Sequence, residues 1–389
     1  MSTYHLIDKK ICEWLMENAD IPIRYRLVRE ILQDDKMAKG LESALLNHPA
    51  VQLWLKNLKP DDPPQHKSME HGCFDFCLEQ ALPKVVRLGL HGGFSQVVDA
   101  VNYYIDGLRK NATCRPIRKS YTAILVANLL CMADIKDNTV SGVMLKNLDE
   151  LYSFARCKSY DIYITGEERT KLNRVPKHWA ESEFFLNPEP LNEYGYYFPL
   201  IHDLRGLYKL YGAHSSETDK KINTVIEYIS NDDFHSNICL GYGILTAGKG
   251  LYHSMGADPR YPGWFDVAHY IENSDLSRDM LKDIIAGSNR SEYYEYGVIY
   301  ARPNMHNLLV FAEYLASYPP AWKTKWLNNL LEYFEKFKTD RGTYIFPNEW
   351  LKETRNGAHM SFGENRRRRN WREIESTFYM LLLNQKIVS

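Results

Sequence analysis

No run in this chain is long and apolar enough to cross a bilayer, which takes roughly 20 consecutive apolar residues, so no integral membrane segment is expected. An excess of one charge is also missing: 48 Lys and Arg stand against 49 Asp and Glu, a formal net charge of −1. Such a balance offers no general pull on nucleic acid, which excludes it as a default partner. The opening Met1–Ser2–Thr3–Tyr4–His5 lacks a basic stretch followed by an apolar one, so no secretory leader is expected and the cytoplasm is the expected location. Seven cysteines (Cys12, Cys73, Cys77, Cys114, Cys131, Cys157 and Cys239) are odd in number and scattered, which argues against a disulfide framework. Several, such as Cys131 in Leu129–Leu130–Cys131–Met132, sit in apolar runs that suit reduced core thiols. Sustained apolar–polar alternation is absent, and pieces such as Tyr160–Ile164 and Thr343–Phe346 amount to edge decoration. Gly241–Tyr242–Gly243 and Gly248–Lys249–Gly250 have neither a preceding strand signal nor a following G-K-S/T, so they make no phosphate loop.

What the chain does have is a rhythm of paired helices. Val85–Leu108, Ala123–Phe154, Pro199–Ser230, Cys239–Ile271 and His306–Phe337 each read as an apolar helix followed by an amphipathic one. Residues 1–60 form a helical lead-in, with Ile11, Trp14 and Leu15, then Ile23, Leu27 and Ile31, at helical spacing, and Pro22 suited to a first turn. Lys59–Pro60–Asp61–Asp62–Pro63–Pro64 cannot continue a helix and marks the boundary with the body, 61–389. Ser216 and Asp219 stand at capping-box spacing before Ile222, and Trp371–Leu383 reads as a closing apolar helix. The fold class is all-α. The irregular period and the long joins, rich in Gly, Pro, Tyr and His, favour an α/α toroid, an incomplete or full ring of hairpins, over an open solenoid.

Two stretches resemble the squalene-cyclase and prenyltransferase-repeat group of α/α toroids. One is the opening Trp14–Leu15 with Ile21–Pro22–Ile23–Arg24–Tyr25–Arg26–Leu27–Val28–Arg29–Glu30–Ile31–Leu32. The other is the close, Arg368–Arg369–Asn370–Trp371 with Glu375–Ser376–Thr377–Phe378–Tyr379–Met380–Leu381–Leu382. The resemblance implies a ring around a central cavity that holds an apolar or cyclic ligand. It does not extend to the group's catalytic motifs. There is no D-x-D-D, and Asp232–Asp233–Phe234–His235–Ser236 lacks the last Asp of D-D-x-x-D. Asp75–Phe76–Cys77 spells the Asp-x-Cys of zinc-dependent prenyltransferases, but in the first quarter of the chain, where that family carries it late.

If the apolar helices form the inner layer, the segments entering them meet at one rim, where helix N-termini favour ligands. Asp232, Asp233 and His235 are the acid–base candidates there, since neighbouring carboxylates and an imidazole can set their pKa values apart. Arg118, Tyr194, Tyr197, His202, Tyr300, Arg302 and His306 are the substrate-binding candidates. No metal is expected, His71, Asp75 and Cys77 being weak candidates without a second ligand pair, and no motif requires a cofactor. The run Arg366–Arg369 reads as a solvated helix start, an oligomer contact or a site for a diphosphate or acidic polymer. Three functional classes fit: a terpenoid-cyclase-like or prenyltransferase-like toroid with a small-molecule or lipid-like ligand, a carbohydrate-active toroid hydrolase or lyase, and a non-catalytic helical scaffold that binds a peptide.

Overall fold

The computed structural model describes residues 9–61, 69–70, 75–111, 117–156, 158–160, 164, 185–186, 201–231, 233, 243–246, 252–255, 309, 312–351 and 361–388. Helices dominate. The lead-in holds α1 (Lys9–Asn18), α2 (Ile21–Arg26), α3 (Asp35–Leu46) and α4 (Pro49–Leu58). Pro22 and Pro49 lie in the first turns of α2 and α4, where the missing N–H leaves no intrahelical bond unmade. Next come α5 (Leu78–Arg87), α6 (Ser95–Asn111), α7 (Ile117–Met132), α8 (Asn138–Ala155), α9 (Ile201–Leu210) and α10 (Ser216–Ile229). A 3-10 turn (Pro319–Lys323), α11 (Lys325–Glu335), α12 (Asn348–Leu351) and α13 (Trp371–Val388) complete the described elements. No helix among the described residues is long and apolar enough to cross a membrane.

From α5 to α10 the helices form two layers. α7 packs between α5 and α9, α8 packs between α6 and α10, and α7 also contacts α6 and α8, which joins the two rows. Burial follows from the sequence pattern. Every residue of α5 from Leu78 to Val85 is buried, and so are 125–133 and 203–207, whereas α8 and α10 bury one stripe. One hydrophobic cluster runs without a break from Ile11 to Ile387, so the lead-in helices share the core of the body. Each fully buried leucine in it contributes about 2 kcal/mol.

Polar contacts inside the core fix how these helices sit. Asp203 in α9 accepts Nδ2–H groups from Asn128 of α7 at 3.1 Å and Asn147 of α8 at 2.7 Å. Gly206, one turn on, lets α9 approach so closely that an added Cβ would run into Asn128. Side chains cap three of the helices, Asp34 at α3, Asp137 at α8 and Ser215 at α10, the last with a shift from the sequence expectation. Ser215, not Ser216, caps α10 through the Thr218 N–H at 3.2 Å, and Asp219 instead accepts the Gly212 N–H at 2.8 Å.

The helical pair expected over Cys239–Ile271 needs a larger correction. Gly243–Thr246 (β2) pairs antiparallel with Tyr252–Met255 (β3), and Phe185–Leu186 (β1) adds a parallel third strand. Glycines at 241, 243, 248 and 250 cost about 1 kcal/mol each in a helix interior, which overrides the apolar content of the segment.

The start of α2 meets the segment that leads into the last helix, α13. Asp20, the N-cap of α2, accepts from Arg368 at 2.7 Å, while its own N–H donates to Glu364 Oε2 at 2.8 Å. Arg368 also donates to the Asn18 carbonyl at 2.8 Å, and Arg366 stacks 4.7 Å over the Trp371 ring. Arg366 and Arg368 therefore act as internal ties. Gly363, at φ +85°, leaves room for Leu88 at the same junction.

Burial pushes the fully enclosed Glu364 carboxyl up to about 7, from an ordinary 4.5, with the Asp20 N–H and Arg368 opposing and the Asp20 and Glu375 charges reinforcing. The folded chain thus holds this proton more tightly than the unfolded chain. The stabilisation is complete below pH 4.5 and lost as pH rises through about 7, to a limit of about 3 kcal/mol. Thermal melts from pH 5 to 8.5 are expected to show wild type falling relative to Glu364→Gln over that window. Parallel curves would show that Glu364 titrates normally.

A candidate site where the inner helices end

The feature that builds the site is a π-helical segment, Leu27–Ile31, that continues α2. The Leu32 N–H reaches the Leu27 carbonyl at 2.9 Å, five residues back, where an α-helix would use four. Such segments are rare and concentrate at functional sites. Here it carries a two-pronged pair: Arg26 Nε and Nη2 donate to the two oxygens of Glu30, each at 2.7 Å. Arg26 also donates to the carbonyl of Arg87, the last residue of α5, at 3.2 Å. Burial disfavours charge on both side chains, but their mutual attraction outweighs it, raising the Arg26 pKa and lowering that of Glu30.

Arg87 carries the network across the molecule to Glu313, in the helical turn 312–315, with which it forms a close ion pair. Lys386, in the last turn of α13, lies 3.9 Å from the same carboxylate and donates to Ser317 Oγ at 3.0 Å. Burial opposes ionisation of Glu313, yet Arg87, Lys386 and Arg26 together hold its pKa down to about 2. Burial lowers the Lys386 pKa, with Glu313 and Glu30 opposing. Aromatic faces complete the packing: Arg87 lies 4.0 Å from the Phe362 ring centroid, Arg26 5.5 Å from that of Phe378, and Lys386 5.1 Å from that of Tyr208.

These groups meet where the core opens to water: Glu30 and Lys386 keep side-chain exposures of 30% and 22%, whereas Arg26, Arg87 and Glu313 beside them are nearly covered. From the last turn of α9, Tyr208 and Lys209 reach the same region. Burial raises the Tyr208 pKa and lowers that of Lys209. Beyond Lys209 lie Asp134, which ends α7 in a left-handed conformation (φ +61°), and His91. Burial and the Arg29 charge push His91 down to about 4, and its Nδ1 accepts the Gly93 N–H at 3.0 Å, as a neutral imidazole does.

The recess therefore collects the C-terminal ends of α2, α5, α9 and α13, whereas the sequence pointed to segments preceding the helices. Helix C-termini carry partial negative charge that favours Lys and Arg, which is one reason cations gather there. Of the acid–base candidates, Asp233 is exposed, with its N–H bonded to Asn231 Oδ1 at 2.8 Å; Asp232 and His235 lie outside the described residues. Tyr194, Tyr197, Tyr300, Arg302 and His306 also lie outside them, and Arg118 and His202 are placed by backbone alone, in α7 and α9. Asp75 is exposed and Cys77 buried at the start of α5, so the two do not share one environment, while His71 lies outside the described residues. Among the described residues no group of three metal-ligand side chains comes together. Arg26, Glu30, Arg87, Glu313 and Lys386 were missed because a charge in an apolar helix reads as a lone surface residue. Arg26 and Glu30 at i, i+4 were the available signal.

Against known protein families, curated proteins and solved structures, the chain matches none.

Removing Glu313 would strand two buried cations, a loss of about 3–5 kcal/mol. Glu313→Gln is expected to unfold at clearly lower denaturant, and Arg87→Met combined with Glu313→Leu to recover much of the loss. A Glu313→Gln cost below about 1 kcal/mol would show that the pair is solvated.

Proposed function

We propose that this protein is an α/α toroid of the squalene-cyclase and prenyltransferase-repeat type, whose inner helices end around a recess that binds a small organic molecule. The observation that carries the reading is the convergence of charged and tyrosine side chains from the C-terminal ends of α2, α5, α9 and α13 on one recess. The contacts of α13 with α1 and with the π segment support the ring, since they bring the last helix back to the first. Tyr208 and Tyr314, both half-buried, provide flat faces for an apolar or cyclic body, and the lysines and arginines provide a place for a polar head. A cytoplasmic setting suits the buried free thiols of Cys12, Cys77 and Cys131.

Sugar cleavage by a carboxyl pair fits this recess less well. One carboxyl of such a pair must hold a proton near neutral pH. Both Glu30 and Glu313 are kept ionised by arginines, so their part is to place charge.

A thermal-shift screen with sugars, isoprenoid alcohols and small organic acids tests the location. Ligands that stabilise wild type are expected to lose their effect in Tyr208→Trp, which fills the recess, and to keep it in Asp233→Asn. The opposite pattern would move the site to the rim at Asp232, Asp233 and His235.

A further inference from the structure

One buried cation in this region is left without the partners that its neighbours have. Arg205 lies in the middle of α9 and is only 3% exposed. Its guanidinium sits 5.7 Å from the centroid of the Tyr314 ring, and its charge works against the rise that burial gives the Tyr314 pKa. Yet Nε and Nη1 have no hydrogen-bond partner, and no carboxylate pairs with Arg205 among the described residues. The nearby Glu313 is already engaged by Arg87 and Lys386. Enclosing N–H donors and a positive charge without acceptors is among the costliest arrangements in a protein interior. Among the described residues here, Glu30 and Glu313 are the carboxylates paired with Arg26, Arg87 and Lys386, and Arg205, beside Tyr314, adds a further positive charge.

We propose that Arg205 anchors an oxyanion subsite, in which the open Nε–H and Nη1–H donors receive a carboxylate or phosphate group of the ligand. The subsite rests on the recess reading above and adds the ligand's charge to it. Arginine suits the task because it keeps its charge when buried and presents several donors in a fixed plane. The Tyr314 ring lies beside the guanidinium, while the Asp203 and Gly206 contacts with α7 and α8 fix the helix that carries it. An anion bound here would supply acceptors for the open donors and offset the further positive charge together.

Calorimetry and thermal melting of the full chain with inorganic phosphate and with malonate, against chloride at equal ionic strength, test this. At least one anion is expected to bind wild type saturably and raise its melting temperature, and the stronger of the two identifies the oxyanion. Arg205→Met should weaken that binding about tenfold or more and, without anion, melt no lower than wild type. Arg205→Lys should retain part of the affinity. The proposal is overturned if neither anion exceeds chloride, or if Arg205→Met melts lower and binds the anion unchanged, as expected for a residue that only holds an internal water. Should Arg205→Met fail to fold, unchanged affinity in Arg205→Lys overturns it equally. Uncharged ligands that Arg205→Met still binds and Tyr208→Trp does not would leave the recess standing while the subsite falls.

Discussion

A single carboxylate, that of Glu313, joins helices that are far apart in the chain. Arg87 from the end of α5 and Lys386 from the end of α13 both face it, and Arg26 adds to its field while clasping Glu30. Take that carboxylate away and Arg87 and Lys386 lose the partner they share, while Arg26 keeps Glu30. Buried ion networks seldom add net stability over well-packed apolar side chains, because desolvation consumes most of the attraction. Here the network forces specific helix ends into one place, and it leaves polar groups lining a recess that an apolar core would have filled.

The two ends of α2 and α13 do different work. At the N-terminal side, Asp20, Glu364 and Arg368 tie α2 to α13, with Glu364 enclosed and proton-holding. At the C-terminal side the side chains are longer, mostly cationic and partly open to water. Charge sign follows the helix macrodipole at both ends: Asp20 caps an N-terminus and Lys386 sits in a last turn. The tie holds α2 and α13 together at one end, and at the other Glu30 and Lys386 stay partly open to water.

Much of the fold was legible in the sequence. Apolar and amphipathic segments alternate at helical period, and α7 to α10 fall where that pattern places them, whereas α5 (Leu78–Arg87) ends where the first expected pair, Val85–Leu108, begins. The strands at Gly243–Thr246 and Tyr252–Met255 were not legible from apolar content, because four glycines decide against helix there. The site was harder to read still. Its π segment leaves no mark beyond the Arg26–Glu30 spacing, and its remaining members come from residues 87, 205, 208, 313 and 386, which only tertiary contact brings together. Reading for motifs favoured adjacent residues such as Asp232 and Asp233, whereas long-range charge pairing built this recess.

An experimental structure of the protein grown or soaked with malonate tests the central claim most directly, namely that the C-terminal ends of the inner helices form the ligand site. The account predicts an anion inside the recess, within hydrogen-bond distance of Arg205 and beside Tyr314 and Tyr208. An empty recess with the anion bound elsewhere, above all beside Asp232, Asp233 and His235, would contradict it.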